Sequence, residues 1–156
     1  MKKIFFFLLM CLSVSIVTTA QSEINFPSGR EKHDRKPQLF AHLSQRFSVK
    51  AGFVNDLMNL KINDPLNVVV TEGFAFNGKI ISKTSEGNGL ETIIAESQHR
   101  KGLLLSVSRY TKPDGSIEYS GIITSRDISD IILMEKDAIT GNYQWTRKNI
   151  SQMIVD

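Results

Sequence analysis

The chain has 156 residues, with 19 Lys or Arg against 16 Asp or Glu, a formal charge of +3, and one cysteine, Cys11. Lys2 and Lys3 supply two of those three net charges, so the rest of the chain sits near +1. Its basic pI is then no argument for nucleic-acid binding, which needs cations gathered on one face. Cys11 lies in the N-terminal leader, so the mature chain is expected to do no thiol, redox or Cys-ligated zinc chemistry and to be held by one hydrophobic core.

Residues 1–20 read as a signal peptide: Lys2-Lys3, an apolar run from Ile4 to Val17, then Thr18-Thr19-Ala20. The run falls short of the ~18 to 20 residues that span a bilayer, so no transmembrane segment is expected in the mature chain. Cleavage is expected between Ala20 and Gln21, which gives an exported protein, periplasmic or extracellular. A lipoprotein signal ending at Cys11 is disfavoured, because Met10 is too large for the residue before a lipidated cysteine. Residues 21–36 are polar and charged, with Pro27 and Gly29, and read as a flexible arm. Residues 37–156 are expected to form a single mainly-β domain with an N-terminal helical segment.

Leu39, Phe40 and Leu43 make one short apolar stripe at helical spacing, and Phe53, Val54, Leu57, Met58 and Leu60 a second, bracketed by Gly52 and Pro65. Two short helices, or one helix and a helical turn, are predicted here as a cap laid on a sheet, joined by an extended piece from Phe47 to Lys50. Strands are then predicted over 66–70, 74–83, 90–97, 131–136 and 143–147, with turns at Ser85–Gly89, Gln98–Gly102 and Thr140–Asn142. The tail from Asn149 carries Ile150, Met153 and Ile154 at roughly helical spacing.

Between these strands, Gly102 to Ser125 spells a hairpin. Pro113 presets the first turn position, Asp114 suits the second, and Gly115 supplies a left-handed residue. Pairing Lys112 with Ser116 sets Arg109 opposite Tyr119, Val107 opposite Gly121 and Leu105 opposite Ile123 on an apolar face. Tyr110 opposite Glu118 and Ser108 opposite Ser120 then fall on a solvated one. A one-residue slip would exchange the faces, so turn and pattern agree on the register. The expected fold is an antiparallel meander of six to eight strands, forming a partly closed barrel or sandwich with short N-terminal helices packed on it.

No catalytic or metal motif is visible. His33, His42 and His99 share no ligand spacing, and no Gly-x-Ser-x-Gly is present. Glu72, Glu91, Glu96 and Glu118 could serve a hydrolase only if two of them faced each other across a groove. The acidic stretches at Asp127–Asp130 and Asp137–Asn142 read as turns rather than calcium loops. Arg109 alone breaks the apolar face of the hairpin, and Arg109, Tyr119 and Trp145 are the candidate lining of a pocket for an anionic or sugar-like ligand. No cofactor or metal is expected.

The runs FAFNGKIISK, LLLSVSRYTKPDGSIEYSGIITS and GNYQWTRK together resemble uncharacterised small secreted proteins of Bacteroidota, over Pro37 to about Lys148. The resemblance implies a periplasmic or secreted location and no particular chemistry. The expected function is an exported non-enzymatic binding or interaction domain for a protein, glycan or small ligand. Its alternatives are a carrier with Phe74, Phe76, Leu105, Val107 and Trp145 around a barrel cavity, a small carboxylate-dependent hydrolase, and an inhibitor or accessory domain acting through an exposed strand edge.

Overall fold

The computed structural model describes residues 36–50 and 52–150. The expected signal peptide, the polar arm up to Arg35 and the tail beyond Ile150 lie outside the described residues.

The alternation read in the sequence becomes eight antiparallel strands in one curled sheet. They are β1 (Arg46–Ser48), β2 (Pro65–Thr71), β3 (Phe74–Ser85), β4 (Leu90–Ser97), β5 (Leu104–Thr111), β6 (Ile117–Thr124), β7 (Asp130–Lys136) and β8 (Tyr143–Asn149). From β3 to β8 each strand pairs with the one before it, and β1 adds beside β8, so the order is β1-β8-β7-β6-β5-β4-β3-β2. The terminal strands β1 and β2 do not pair with each other, which leaves a half-barrel. The connection between these two edges contains the short helix α1 (Phe53–Met58), whose Phe53, Val54, Leu57 and Met58 are buried in the core.

The β5–β6 hairpin has the predicted register, from Leu104 opposite Thr124 to Thr111 opposite Ile117, with Arg109 opposite Tyr119. The Lys112 N–H donates to the Ser116 carbonyl at 2.8 Å, and Gly115 takes φ 80°. Extending this register sideways aligns Phe47, Trp145, Met134, Gly121, Val107 and Ile93 in one row across six strands. Ala95, Leu105, Ile123 and Ile132 form the adjacent row. Both rows lie on the concave face against α1, and the half-barrel is therefore filled. Phe76, Leu105, Val107 and Trp145, the residues a carrier would hold around a cavity, are buried within this core, with Phe74 packed at its edge.

Besides a register shift between Val69 and Thr71 in the β2–β3 pair, two features depart from simple alternation. A bulge between Ile80 and Ser82 leaves Ile81 exposed and aligns Lys83 opposite Ile93. From there the Lys83 ammonium donates to the carbonyls of Met58 (2.6 Å) and Leu60 (3.0 Å), closing the C-terminal end of α1. The stripe at Leu39, Phe40 and Leu43 forms a turn, closed by Leu43 N–H on the Phe40 carbonyl at 2.9 Å, and α1 is the accompanying helix. Buried Asp130 accepts the N–H groups of Leu39 (2.8 Å) and Phe40 (2.7 Å), so these donors are fixed by a strand rather than by a helix. Phe40 then meets Phe74 edge-on, with ring centroids 5.2 Å apart.

Candidate ligand cleft at the mouth of the half-barrel

One step along the strands from the Trp145–Gly121 row, Glu91, Arg109 and Tyr119 are aligned across β4, β5 and β6. Tyr143 reaches the same end of the sheet from β8. Its ring meets that of Tyr119 edge-on at 5.3 Å, and its hydroxyl oxygen accepts the Tyr119 N–H at 3.0 Å. The chain between β1 and α1 closes the opposite side. Val49 N–H donates to the Tyr143 carbonyl at 3.3 Å, and Gly52, at φ 79°, makes the left-handed turn that admits α1. The result is a cleft of about 380 Å3, with Phe53, Val54, Tyr119 and Tyr143 as its apolar and aromatic wall. Ser48, Lys50, Asn55 and Asn142 supply polar groups.

Of the residues singled out from the sequence, Tyr119 lines this cleft. Arg109 is its cross-strand neighbour, but the guanidinium is held by Glu91, with Nε donating to Oε2 at 2.8 Å. Both side chains of that pair are about a third exposed (30% and 32%), so solvent screening limits its value to under ~1 kcal/mol. Trp145 is 1% exposed and lies in the core, edge-on to Phe53 at 5.7 Å. The structure thus brings Arg109 and Tyr119 together and sets Trp145 behind a cleft residue. The other lining residues, Lys50, Asn55, Asn142 and Tyr143 among them, come from two separated stretches, within 48–55 and at 142–143. No local spacing marks them as a set; the exception in kind is Tyr143, whose alternation with Trp145 put it on the concave face.

The remaining candidates have other surroundings. His42 and His99 are exposed, and His33 lies outside the described residues. Among the described residues no group of three or more His, Cys, Asp or Glu could hold a metal. Glu118 binds Lys112 at 2.6 Å, Glu96 accepts the Gly102 N–H at 3.3 Å, and Glu72 is exposed in the β2–β3 turn. Lys112 is held above the usual lysine range by its bond to Glu118. Asp114 and Asp137 are held below the usual carboxylate range by bonds from Ser116 and Thr140 respectively. These shifts belong to the two turns and not to the cleft.

A second concavity of about 420 Å3 runs between α1 and edge strand β2, over Phe53, Leu57, Leu60, Leu66 and Val68. Ile80 N–H donates to the Asp64 carbonyl, while the Asn77 carbonyl accepts from Gln98 on the β4 side, both at 3.0 Å. By antiparallel alternation, the N–H and C=O of Asn67 and Val69 then point away from β3, toward an edge that no described strand covers. Val69 is 67% exposed.

Scans against protein-family models and searches of curated proteins and of solved structures find no match to this chain. What the fold itself defines is a mainly-β half-barrel filled by a short helix, with a mixed aromatic and polar cleft at one end. No helix among the described residues is long and apolar enough to cross a membrane.

Proposed function

We propose that the protein is an exported, non-enzymatic binding domain whose ligand sits in the cleft between α1 and the ends of β6 and β8. The observation that carries this reading is the wall itself: an aromatic pair, Tyr119 and Tyr143, beside the exposed Lys50, Asn55 and Asn142. Small-molecule sites combine an apolar surface with a few convergent polar groups in this way, and span ~300 to 1,000 Å3. The scaffold supports it, because β strands hold both tyrosines and buried Phe53 and Val54 fix the helix that forms the other side. Export rests on the leader read at residues 1–20.

Titration of the mature chain with a panel of metabolites and glycans, followed by amide NMR, tests the proposal. Saturable shifts at Lys50, Gly52, Asn55 and Asn142 are expected. Turnover of a glycoside or ester that is abolished by a single Glu substitution would overturn it in favour of a hydrolase.

The β2 edge, which no described strand covers, favours a second reading, a protein partner that adds an extended strand there. Unpaired backbone groups beside an apolar groove provide both parts of such recognition.

A further inference from the structure

We infer that the mouth cleft takes an anionic sugar: a pyranose ring carrying one carboxylate or phosphate. This rests on the binding reading above and assigns the class of ligand.

Charge comes first. Among the described residues Lys50 is the only ionised side chain in the wall, and no carboxylate lines it. Its ammonium makes no hydrogen bond or ion pair with any described residue, whereas Arg109 is already neutralised by Glu91. Asp56, one turn into α1, lines the groove beside β2, which Lys50 also borders, and its carboxylate oxygen lies 3.7 Å from where a Cβ on Gly52 of the cleft wall would sit, yet it forms no ion pair with Lys50. Lys136 stands opposite Tyr143 in the β7–β8 register, which brings a second cation to the same end of the sheet. An ammonium with no hydrogen-bond or ion-pair partner among the described residues, in a wall that no described carboxylate lines, favours an anion.

Hydrogen-bonding capacity comes second. The carboxamides of Asn55 and Asn142 and the Ser48 hydroxyl each offer donors and acceptors, as vicinal sugar hydroxyls require. Tyr143 is more specific. Its oxygen already accepts the Tyr119 N–H, so its own proton is left to donate to a ligand oxygen. The aromatic rings of Tyr119 and Phe53 supply apolar surface for the C–H face of a ring. A purely apolar ligand would strand these polar groups, and a bare inorganic anion would leave the rings uncovered.

The test uses the mature chain with D-glucuronate, D-glucose 6-phosphate and D-glucose, read by amide NMR and by the fluorescence of Trp145, the single tryptophan. At least one of the acids is expected to shift Lys50, Asn55 and Asn142 and to bind about threefold to fivefold more tightly than glucose; the tighter acid identifies the anionic group. That preference should shrink as salt screens the exposed charge. Lys50→Gln should abolish it while leaving the free protein's Trp145 spectrum and thermal midpoint unchanged, and Tyr143→Phe should weaken all three sugars alike. Glucose binding as tightly as both acids would overturn the anionic assignment while the cleft reading stands. Acid-induced shifts confined to residues outside the cleft would overturn the inference as well. If none of the three sugars moves a cleft amide, the inference fails; the broader reading fails only if the wider panel also leaves the cleft unchanged.

Discussion

The indole of Trp145 reaches across β7 to Gly121, where an added Cβ would sit 3.0 Å from its Cη2 atom. That Cβ would also meet the Met134 Cβ and Cε at 3.3 Å. Gly121 is therefore the seat of the largest side chain in the core. Gly121→Ala should destabilise by about 1 to 3 kcal/mol, the usual cost of overpacking, and alter Trp145 fluorescence. At Gly78 a Cβ would lie 2.4 Å from the Glu96 carbonyl oxygen, a backbone atom with no rotamer to change. Gly78→Ala should cost more than Gly121→Ala in urea unfolding; the reverse order would contradict the packing described.

Asp130 is 2% exposed and anchors the segment before β1 through Leu39 and Phe40. Asp130→Ala leaves two donors without their acceptor and should cost about 2 to 4 kcal/mol. Hydrogen exchange at Leu39 and Phe40 should quicken before that of the β4–β5 ladder. Uniform acceleration would instead mean that Asp130 supports the whole fold equally.

The two sides of β2 separate in a proline pair. Asn67 has its N–H toward the free edge, so Asn67→Pro should lower stability by under about 1 kcal/mol. Val68→Pro deletes a ladder bond to Phe76 and should cost about 3 kcal/mol or more. Equal costs would show the edge assignment to be inverted. A partner that adds a strand should be lost with Asn67→Pro, while sugar binding in the mouth cleft persists.

Acid should act on two turns. Ser116 donates to Asp114 through its hydroxyl (2.6 Å) and its N–H (2.8 Å), and Thr140 donates to Asp137 through its N–H (2.8 Å) and its hydroxyl (3.0 Å). Both carboxyls thus titrate below their ordinary value in the folded protein. A lowered folded-state value means that the turn stabilisation is complete above ~3.9 and is lost as pH falls through the folded value. Carboxyl 13C titrations should place both midpoints below those of an unfolded peptide. Ser116→Ala and Thr140→Ala should each raise the midpoint of their own partner only.

Local architecture is written in the order of residues along the chain. Its period-two alternation and turn chemistry fixed β4 at residues 90–97 and the pairing of Arg109 with Tyr119, because both depend on residues near one another in the chain. The stripe at Phe53 to Met58 was legible as a core-facing helix for the same reason. Tertiary structure decided what distant stretches do to each other. Lys83 became the cap of α1 only because a bulge re-aimed it, and Asp130 turned a helical stripe into a turn by capturing its donors. The cleft belongs to this second category. Tyr119 was legible as the cross-strand partner of Arg109, the break in an apolar face, but Lys50, Asn55, Asn142 and Tyr143 converge only when the sheet curls around α1, a juxtaposition that no spacing in the chain encodes.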